Sequence, residues 1–543
     1  MSPRPTFGPG TASPKPVRRA PRWRRVLAAA VAAIAAGAAM APSALAAPDY
    51  SQRATFDSLD RAYHNGRGNS LANNDQGALA WGESYFLQSY LLMFEATGDR
   101  RYLEKFVAHG DRVLARRDDM RGVTDDRGRS LPAWRTANPY TVGSAVLADA
   151  GGRPVLELRS ALPAASRSSV TVVPGTAPGS FRLDLSNSAR VNQITSPCGP
   201  PKPAPAASYD NLTMRRGDPS YAVDAVNAAF GASPMLATAR DARADPTVDA
   251  QPALGTFAFR SLPYVHPVHT GQITFPLARF VRLVRERPEL ASVPRYARAA
   301  DRYLEAAQQA VAVHDPDWRI TADGQGSYAF PRGAPVRFDG ADAPLNQSLA
   351  MGRTLYELAL VTGRPDYAAK VVALARSFRG DLVPDPRGSY VWSYAWRRSA
   401  VFLGWTLANR PSDHTLWFDG FRSAEDTGHG WIDVAFAVAT LSRPVGPPVF
   451  TESDIAALAA TFTRNLATVD PSGAPTVWDH VDGTGCVGVY DAIAAAWMPL
   501  AAWDPAVFDL SLAVFDARQP PPSAAAIFGC ANLVRFAAGG PLP

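Results

Sequence analysis

Phe94-Glu95-Ala96-Thr97-Gly98-Asp99-Arg100-Arg101-Tyr102-Leu103-Glu104-Lys105-Phe106-Val107-Ala108 has a second copy in the chain, Leu360-Val361-Thr362-Gly363-Arg364-Pro365-Asp366-Tyr367-Ala368-Ala369-Lys370-Val371-Val372-Ala373. Thr, Gly, Tyr, Lys, Val and Ala recur at one constant offset, 362 − 97 = 265. Each copy reads as a helix, a Thr-Gly turn and a second helix. Glycine suits the left-handed residue just past a helix end, proline suits a position soon after it, and Tyr with Val packs the second helix back on the first. Such a turn joins antiparallel neighbours, and its recurrence marks a stacked array of helical hairpins.

Apolar periodicity predicts further members. Thr55 to His64 and the pair Glu83 to Ala96 with Arg100 to Arg116 come first. Then follow Gln272 to Val284 with Tyr296 to Val313, Leu345 to Val361 with Asp366 to Phe378, and His429 to Leu441 with Ser453 to Leu466. Val487 to Trp503, with a segment from Pro505 or from Ala524 onward, makes the last. The first helix of each pair is apolar nearly all round and the second carries charge on one face, which predicts an inner and an outer ring.

Aromatic and polar residues cluster just ahead of the inner helices. They include Asn73-Asn74-Asp75 with Trp81-Gly82-Glu83, Tyr264 to Thr270, Ser327-Tyr328-Ala329-Phe330 before Asn346, and Ser389 to Trp396 before Glu425 to His429. Val477-Trp478-Asp479-His480 stands before Tyr490 and Asp491. The densest stretch is Glu425-Asp426-Thr427-Gly428-His429-Gly430-Trp431-Ile432-Asp433, where a polar loop meets an apolar helical run. Asp426 or Thr427 suits the helix cap, and Asp433, four residues after His429, is placed to orient or charge the imidazole.

In these features the chain resembles the (α/α) toroid superfamily of carbohydrate-active enzymes: six-hairpin glycosidases with related polysaccharide lyases and uronyl epimerases. The resemblance implies a mainly α protein, an (α/α) toroid of about six helical hairpins, with the active-site cleft on the face built by the loops that lead into the inner helices. It is architectural, and no complete catalytic signature of one member family is present.

The expected function is that of a secreted glycoside hydrolase acting on a poly- or oligosaccharide. Glycoside hydrolysis needs two carboxyl groups across the scissile bond. Glu425, Asp426, Asp479 and Glu83 are candidates, with Glu425 as general acid and Asp479 as base or nucleophile. Glu83, Tyr328, Asn346, Tyr390, Trp392, Asp426, Trp478, His480 and Tyr490 are the expected sugar-binding residues, since rings stack on sugars and polar groups meet hydroxyls. Lyase or epimerase chemistry on uronates is the alternative, with Asn346 or an arginine neutralising the carboxylate and His429 or His480, with Tyr390 or Tyr490, removing the proton. A non-catalytic glycan-binding protein of the cell envelope is the third reading. No short metal-ligand motif, nucleotide-binding glycine loop or G-x-S-x-G elbow is present, so neither a metal nor another cofactor is expected.

Arg18, Arg19, Arg22, Arg24 and Arg25 precede the apolar run Val26 to Met40 and then Ala44-Leu45-Ala46, so residues 1–46 read as a signal peptide and the mature protein as exported, without a membrane anchor. Those residues hold seven basic and no acidic side chains, which leaves 55 − 7 = 48 basic against 49 acidic. A near-neutral mature chain gives no electrostatic case for nucleic-acid binding, which needs a concentrated basic surface. Residues 47–140 are assigned to the first helical hairpins, 141–208 to a β-rich insertion with a Pro-rich linker, and 209–543 to the rest of the toroid. Alternation in Val155 to Arg159, Val170 to Val172 and Phe181 to Leu185 carries the β assignment, and the insertion is read as a brace. Three cysteines, Cys198, Cys486 and Cys530, predict one disulfide, with Cys486 and Cys530 the preferred pair.

Overall fold

Both Thr-Gly turns close in the same way. In the computed structural model, which describes residues 48–162, 165–188, 205–233 and 235–539, Gly98 and Gly363 each have φ 68° and donate their N–H to Phe94 and Ala359. Thr97 and Thr362 turn their hydroxyls back on Met93 and Leu358, 2.6 Å in each case. The helices so joined are α2 (Ser84–Thr97) with α3 (Arg101–Leu114), and α6 (Leu345–Thr362) with α7 (Pro365–Asp381). The segment read as a signal peptide, Cys198 and most of the Pro-rich stretch lie outside the described residues.

The remaining long helices are α1 (Arg53–Ala62), α4 (Pro267–Glu286), α5 (Pro294–Ala312), α8 (Thr427–Ser442), α9 (Glu452–Ala460), the 3₁₀ helix α10 (Asp491–Ala502), α11 (Ala506–Arg518) and α12 (Ala524–Ala537). About 45% of the protein is helix and 16% strand, so it is mainly α. The apolar helices pack in sequence: α2 on α4, α4 on α6, α6 on α8, α8 on α10, α10 on α12, and α12 back on α2. Charged-faced α3, α5, α7, α9 and α11 each pack on the helix before them, and α1 packs on α12. Among the described residues no helix is long and apolar enough to cross a membrane.

At the α4–α6 contact the two backbones come close together. A Cβ on Gly271 would lie 2.5 Å from the Ala350 carbonyl carbon, and Thr354 donates its hydroxyl to the Gly271 carbonyl at 3.0 Å. Only a hydrogen at position 271 lets the two backbones meet.

Between α3 and α4 the chain builds two four-stranded antiparallel sheets, larger than the alternation predicts. The strands are β1 (Gly143–Ala148), β2 (Pro154–Ser160), β3 (Ser168–Pro174), β4 (Phe181–Asn187), β5 (Ala206–Leu212), β6 (Ala237–Asp241), β7 (Gly255–Ala258) and β8 (Arg260–Ser261). Their orders are β6-β2-β1-β8 and β5-β4-β3-β7. Leu147, Leu156 and Leu158 of one sheet and Val170, Leu183 and Leu185 of the other share one buried core. The β-rich region therefore ends near Ser261 rather than at residue 208, because β6 and β7 pair with strands far back in the sequence.

Two-stranded hairpins then lead into three inner helices. They are β9 (Trp318–Ile320) with β10 (Gly326–Tyr328), β11 (Val383–Pro384) with β12 (Tyr390–Val391), and β13 (Ala467–Val469) with β14 (Pro475–Val477). The preferred cysteine pairing is overturned: Cys486 is disulfide-bonded, whereas Cys530 is a free thiol buried on α12 that donates to the Tyr50 carbonyl.

Candidate active site

Glu425 and Asp426 lie on extended backbone held from both sides. Glu425 N–H donates to the Trp392 carbonyl, and Val481 N–H donates to the Glu425 carbonyl, each at 2.9 Å. Thr427 N–H donates to the Asp479 carbonyl at 2.7 Å, and Asp426 and His480 form a backbone bridge. The lead-in segments of α8 and α10 are thereby fixed against each other at the first turn of α8.

Asp426 caps that helix. Its Oδ1 accepts the His429 backbone N–H at 2.9 Å and its Oδ2 lies 2.7 Å from His429 Nδ1. The partner of the imidazole is thus Asp426, three residues before it, and not Asp433, which accepts the Trp392 indole N–H at 2.9 Å instead. Burial alone lowers the His429 pKa, but Asp426 outweighs it and raises it to about 9. Burial pushes Asp426 upward, and the charge and hydrogen bonds of His429 reverse this and hold it below the usual carboxylate range. The pair is ionised at neutral pH, with the imidazole side chain 32% exposed.

Rings surround it. Trp81 stands edge-on to His429 with centroids 5.3 Å apart, and Tyr394 is 6.3 Å away. Tyr490 hydrogen-bonds to Asp426, and its ring lies where a Cβ on Gly428 would come within 2.3 Å. Trp81 also donates its indole N–H to His269 Nε2 at 3.1 Å; burial pulls His269 down to about 3, so that ring is neutral. The recess thus draws on the lead-in segments of α2, α4, α8 and α10.

Beneath it sits a second acid pair. Glu425 is wholly buried: Oε2 accepts from Asn346 Nδ2 at 2.9 Å and Oε1 from the Asp426 N–H at 3.0 Å. Burial first, then Asp433 and Asp426, raise Glu425 well above its ordinary value; burial and Asp426 do the same to Asp433, which hydrogen-bonds to Glu425. Two carboxyls in contact away from water share a proton. Both Glu425 oxygens are engaged within the protein and the residue has no exposed surface, which favours it as a buried support of Asp426 over a general acid that meets substrate. Asn346 likewise positions Glu425 from beneath.

Asp479 lies beside Asp426. Burial and the Asp426 charge raise its pKa, opposed by His480, whose Nδ1 is 3.9 Å from Asp479 Oδ2. A Cβ on Gly485 would fall 2.5 Å from the Asp479 Cβ, so glycine there lets the loop close over the carboxyl.

Other expected sugar-binding residues are engaged within the protein. Glu83 is fully buried, 2.6 Å from His109 Nδ1 and accepting the Asn69 N–H at 2.7 Å. Tyr328 has no exposure and packs edge-on to Trp318. Trp392 is buried between Phe378 and Trp497. Tyr390 donates to Asp454 under the Arg379 guanidinium, on the outer-helix side. Trp478 uses its carbonyl, which accepts the Thr427 hydroxyl at 2.7 Å. Aromatic residues ahead of a helix serve packing as readily as ligands, and burial separates the two uses.

Ligand atoms of Glu425, Asp426 and His429 lie within 4.8 Å of one another, the separation a metal-binding trio would have. His429 Nδ1 is already bonded to Asp426 and both Glu425 oxygens are occupied, so the trio is satisfied within the protein. No family model, no curated protein and no solved structure matches this chain.

Proposed function

We propose that the protein is a secreted glycoside hydrolase acting on a poly- or oligosaccharide, and that its ring of helices is an (α/α) toroid with this recess as the catalytic cleft. What supports the toroid is the return of the packing from α12 to α2, with one outer helix against each inner one. What carries the functional reading is the contrast between Asp426, held ionised by His429, and Asp479, raised by burial and by Asp426. Neighbouring carboxyls whose pKa values are pushed in opposite directions are what acid–base division of labour needs. In this reading Asp479 gives its proton to the glycosidic oxygen as the C–O bond breaks. Asp426 accepts a proton from the attacking water as its hydroxyl joins the anomeric carbon, and Trp81, Tyr394 and Tyr490 offer faces to the sugar rings.

One observation favours a second reading. The partly exposed imidazolium of His429 can neutralise a uronate carboxylate, and His480, bridged to Asp426 through the backbone, is the candidate base for the adjacent carbon-bound proton. The products separate the two. Incubation of the purified protein with neutral and uronate-containing glycans, followed for reducing ends and ultraviolet absorbance together, gives reducing ends without absorbance for hydrolysis. Absorbance rising with them means elimination, and neither on any glycan favours a binding protein.

A further inference from the structure

Inside the ring, farther along the helices than the recess, is a cavity of about 150 Å³ lined by residues of all six inner helices. Its walls include Phe275, Trp431, Phe436 and Phe528, yet three arginines also line it: Arg279 of α4, Arg353 of α6 and Arg535 of α12. None of the recess residues Trp81, Tyr394, Asp426, His429 or Tyr490 lines it.

The charges do not cancel. Glu95 takes both Arg279 and Arg535 at 2.7 Å, and Glu357, also in the lining, is engaged by Arg282. Among the described residues Arg353 has no carboxylate partner within ion-pair distance. It is 3% exposed, donates to Gln88 Oε1 at 2.7 Å and Gln272 Oε1 at 3.4 Å, and lies over the rings of Phe275, at 3.8 Å, and Trp431, at 4.8 Å. Burial pulls its pKa down to about 9, the sign of an under-compensated cation.

The unpaired hydrogen-bonding capacity has one sense. Of the residues that line the cavity, Arg353 Nε and Arg279 Nε are buried without a partner, and both are donors. Leaving a buried donor unmade costs about 1–3 kcal/mol, more for a charged group. A cavity with surplus donors, surplus positive charge and aromatic walls is complementary to an acceptor-bearing anion with an apolar body. Its size suits one ring, since apolar cavities of about 150 Å³ take up benzene.

We infer that this cavity is a binding site for a small organic carboxylate, its apolar body between the aromatic walls and its carboxylate on Arg353 and Arg279. The site is separate from the recess, and the inference does not depend on what the recess does.

Benzoate is the probe, titrated calorimetrically into the full-length protein, with benzyl alcohol as its neutral counterpart and inorganic phosphate as an anion without a ring. Benzoate is expected to bind at least tenfold tighter than benzyl alcohol and than phosphate. Arg353→Met, which keeps the stem packed on Phe275, is expected to remove that tenfold preference, whereas His429→Ala leaves it intact. Equal binding of benzyl alcohol, absence of benzoate binding, or loss of binding in His429→Ala overturns the inference; phosphate binding as tightly as benzoate overturns the apolar-body assignment. Should Arg353→Met fail to fold, the ligand comparison on the unaltered protein and on His429→Ala still decides.

Discussion

Asp426 holds His429 twice, through the backbone N–H at 2.9 Å and the ring Nδ1 at 2.7 Å. A helix cap and an ion pair are therefore one carboxylate, and the orientation of the imidazole is set where the helix begins. Removing the charge while keeping the shape separates the two contributions.

Asp426→Asn is expected to return the His429 pKa from about 9 to 6.5 or lower, because burial then acts unopposed. The sign of the stability effect follows. A histidine raised in the folded state stabilises fully below its unfolded value of about 6.5 and loses that contribution as pH rises through about 9. The loss is on the order of 2 kcal/mol, reduced from the full shift because the imidazole is partly in solvent. Histidine titration by NMR with denaturant melts at pH 6 and pH 10 checks both; an unchanged His429 titration in the variant contradicts the pairing.

The Glu425–Asp433 pair has raised pKa values on both members. Acids raised in the folded state stabilise fully below their unfolded pKa and lose that contribution as pH rises through the folded one. Asp433→Asn, whose amide can donate to Glu425, is expected to raise Tm at pH 8 relative to the unaltered protein and to do little at pH 4. A uniform loss at both values would mean that Asp433 acts through the Trp392 bond alone.

Gly271→Ala forces a methyl group against the Ala350 backbone. The expected cost is about 1–3 kcal/mol, or more where neither helix can shift. A chemical melt reads it, and a neutral result would show that α4 and α6 approach less closely than described.

One thiol and one disulfide are expected. Iodoacetamide should leave the native, unreduced protein unlabelled, because Cys530 is buried and its thiol pKa is pushed up by burial. Denaturation without reductant should then allow a single label on Cys530, read by peptide mass; a label on Cys486 contradicts its bonded state.

The helical plan was legible because the Thr-Gly turns use chemistry that depends on local sequence alone: a left-handed glycine and a hydroxyl bonded one turn back. The β region was under-read at its far end because β6 and β7 are short, and only pairing with β2 and β3 defines them. At the site, Asp426, His429, Asp479, His480 and Tyr490 lie together. Trp81 and Tyr394 join them, although only their place in the aromatic lead-in segments signalled it. For Glu83 and Glu425, sequence shows a carboxylate at a helix start but not whether a buried partner such as His109 or Asn346 already holds it. Helical spacing points His429 to Asp433 at i+4, whereas an N-cap side chain folds over the first turn and reaches i+3, which is where Asp426 meets it.

Proton donation by Asp479, whose pKa burial and the Asp426 charge raise, is the step on which the proposed hydrolysis turns. On the glycan that the protein cleaves fastest, the rate of reducing-end release by Asp479→Asn should fall at least a hundredfold. The fall should shrink to severalfold on an aryl glycoside whose leaving group needs no proton. Equal losses on both substrates, or cleavage of the glycan at the unaltered rate, would contradict Asp479 as the acid and with it the proposed hydrolysis at this site.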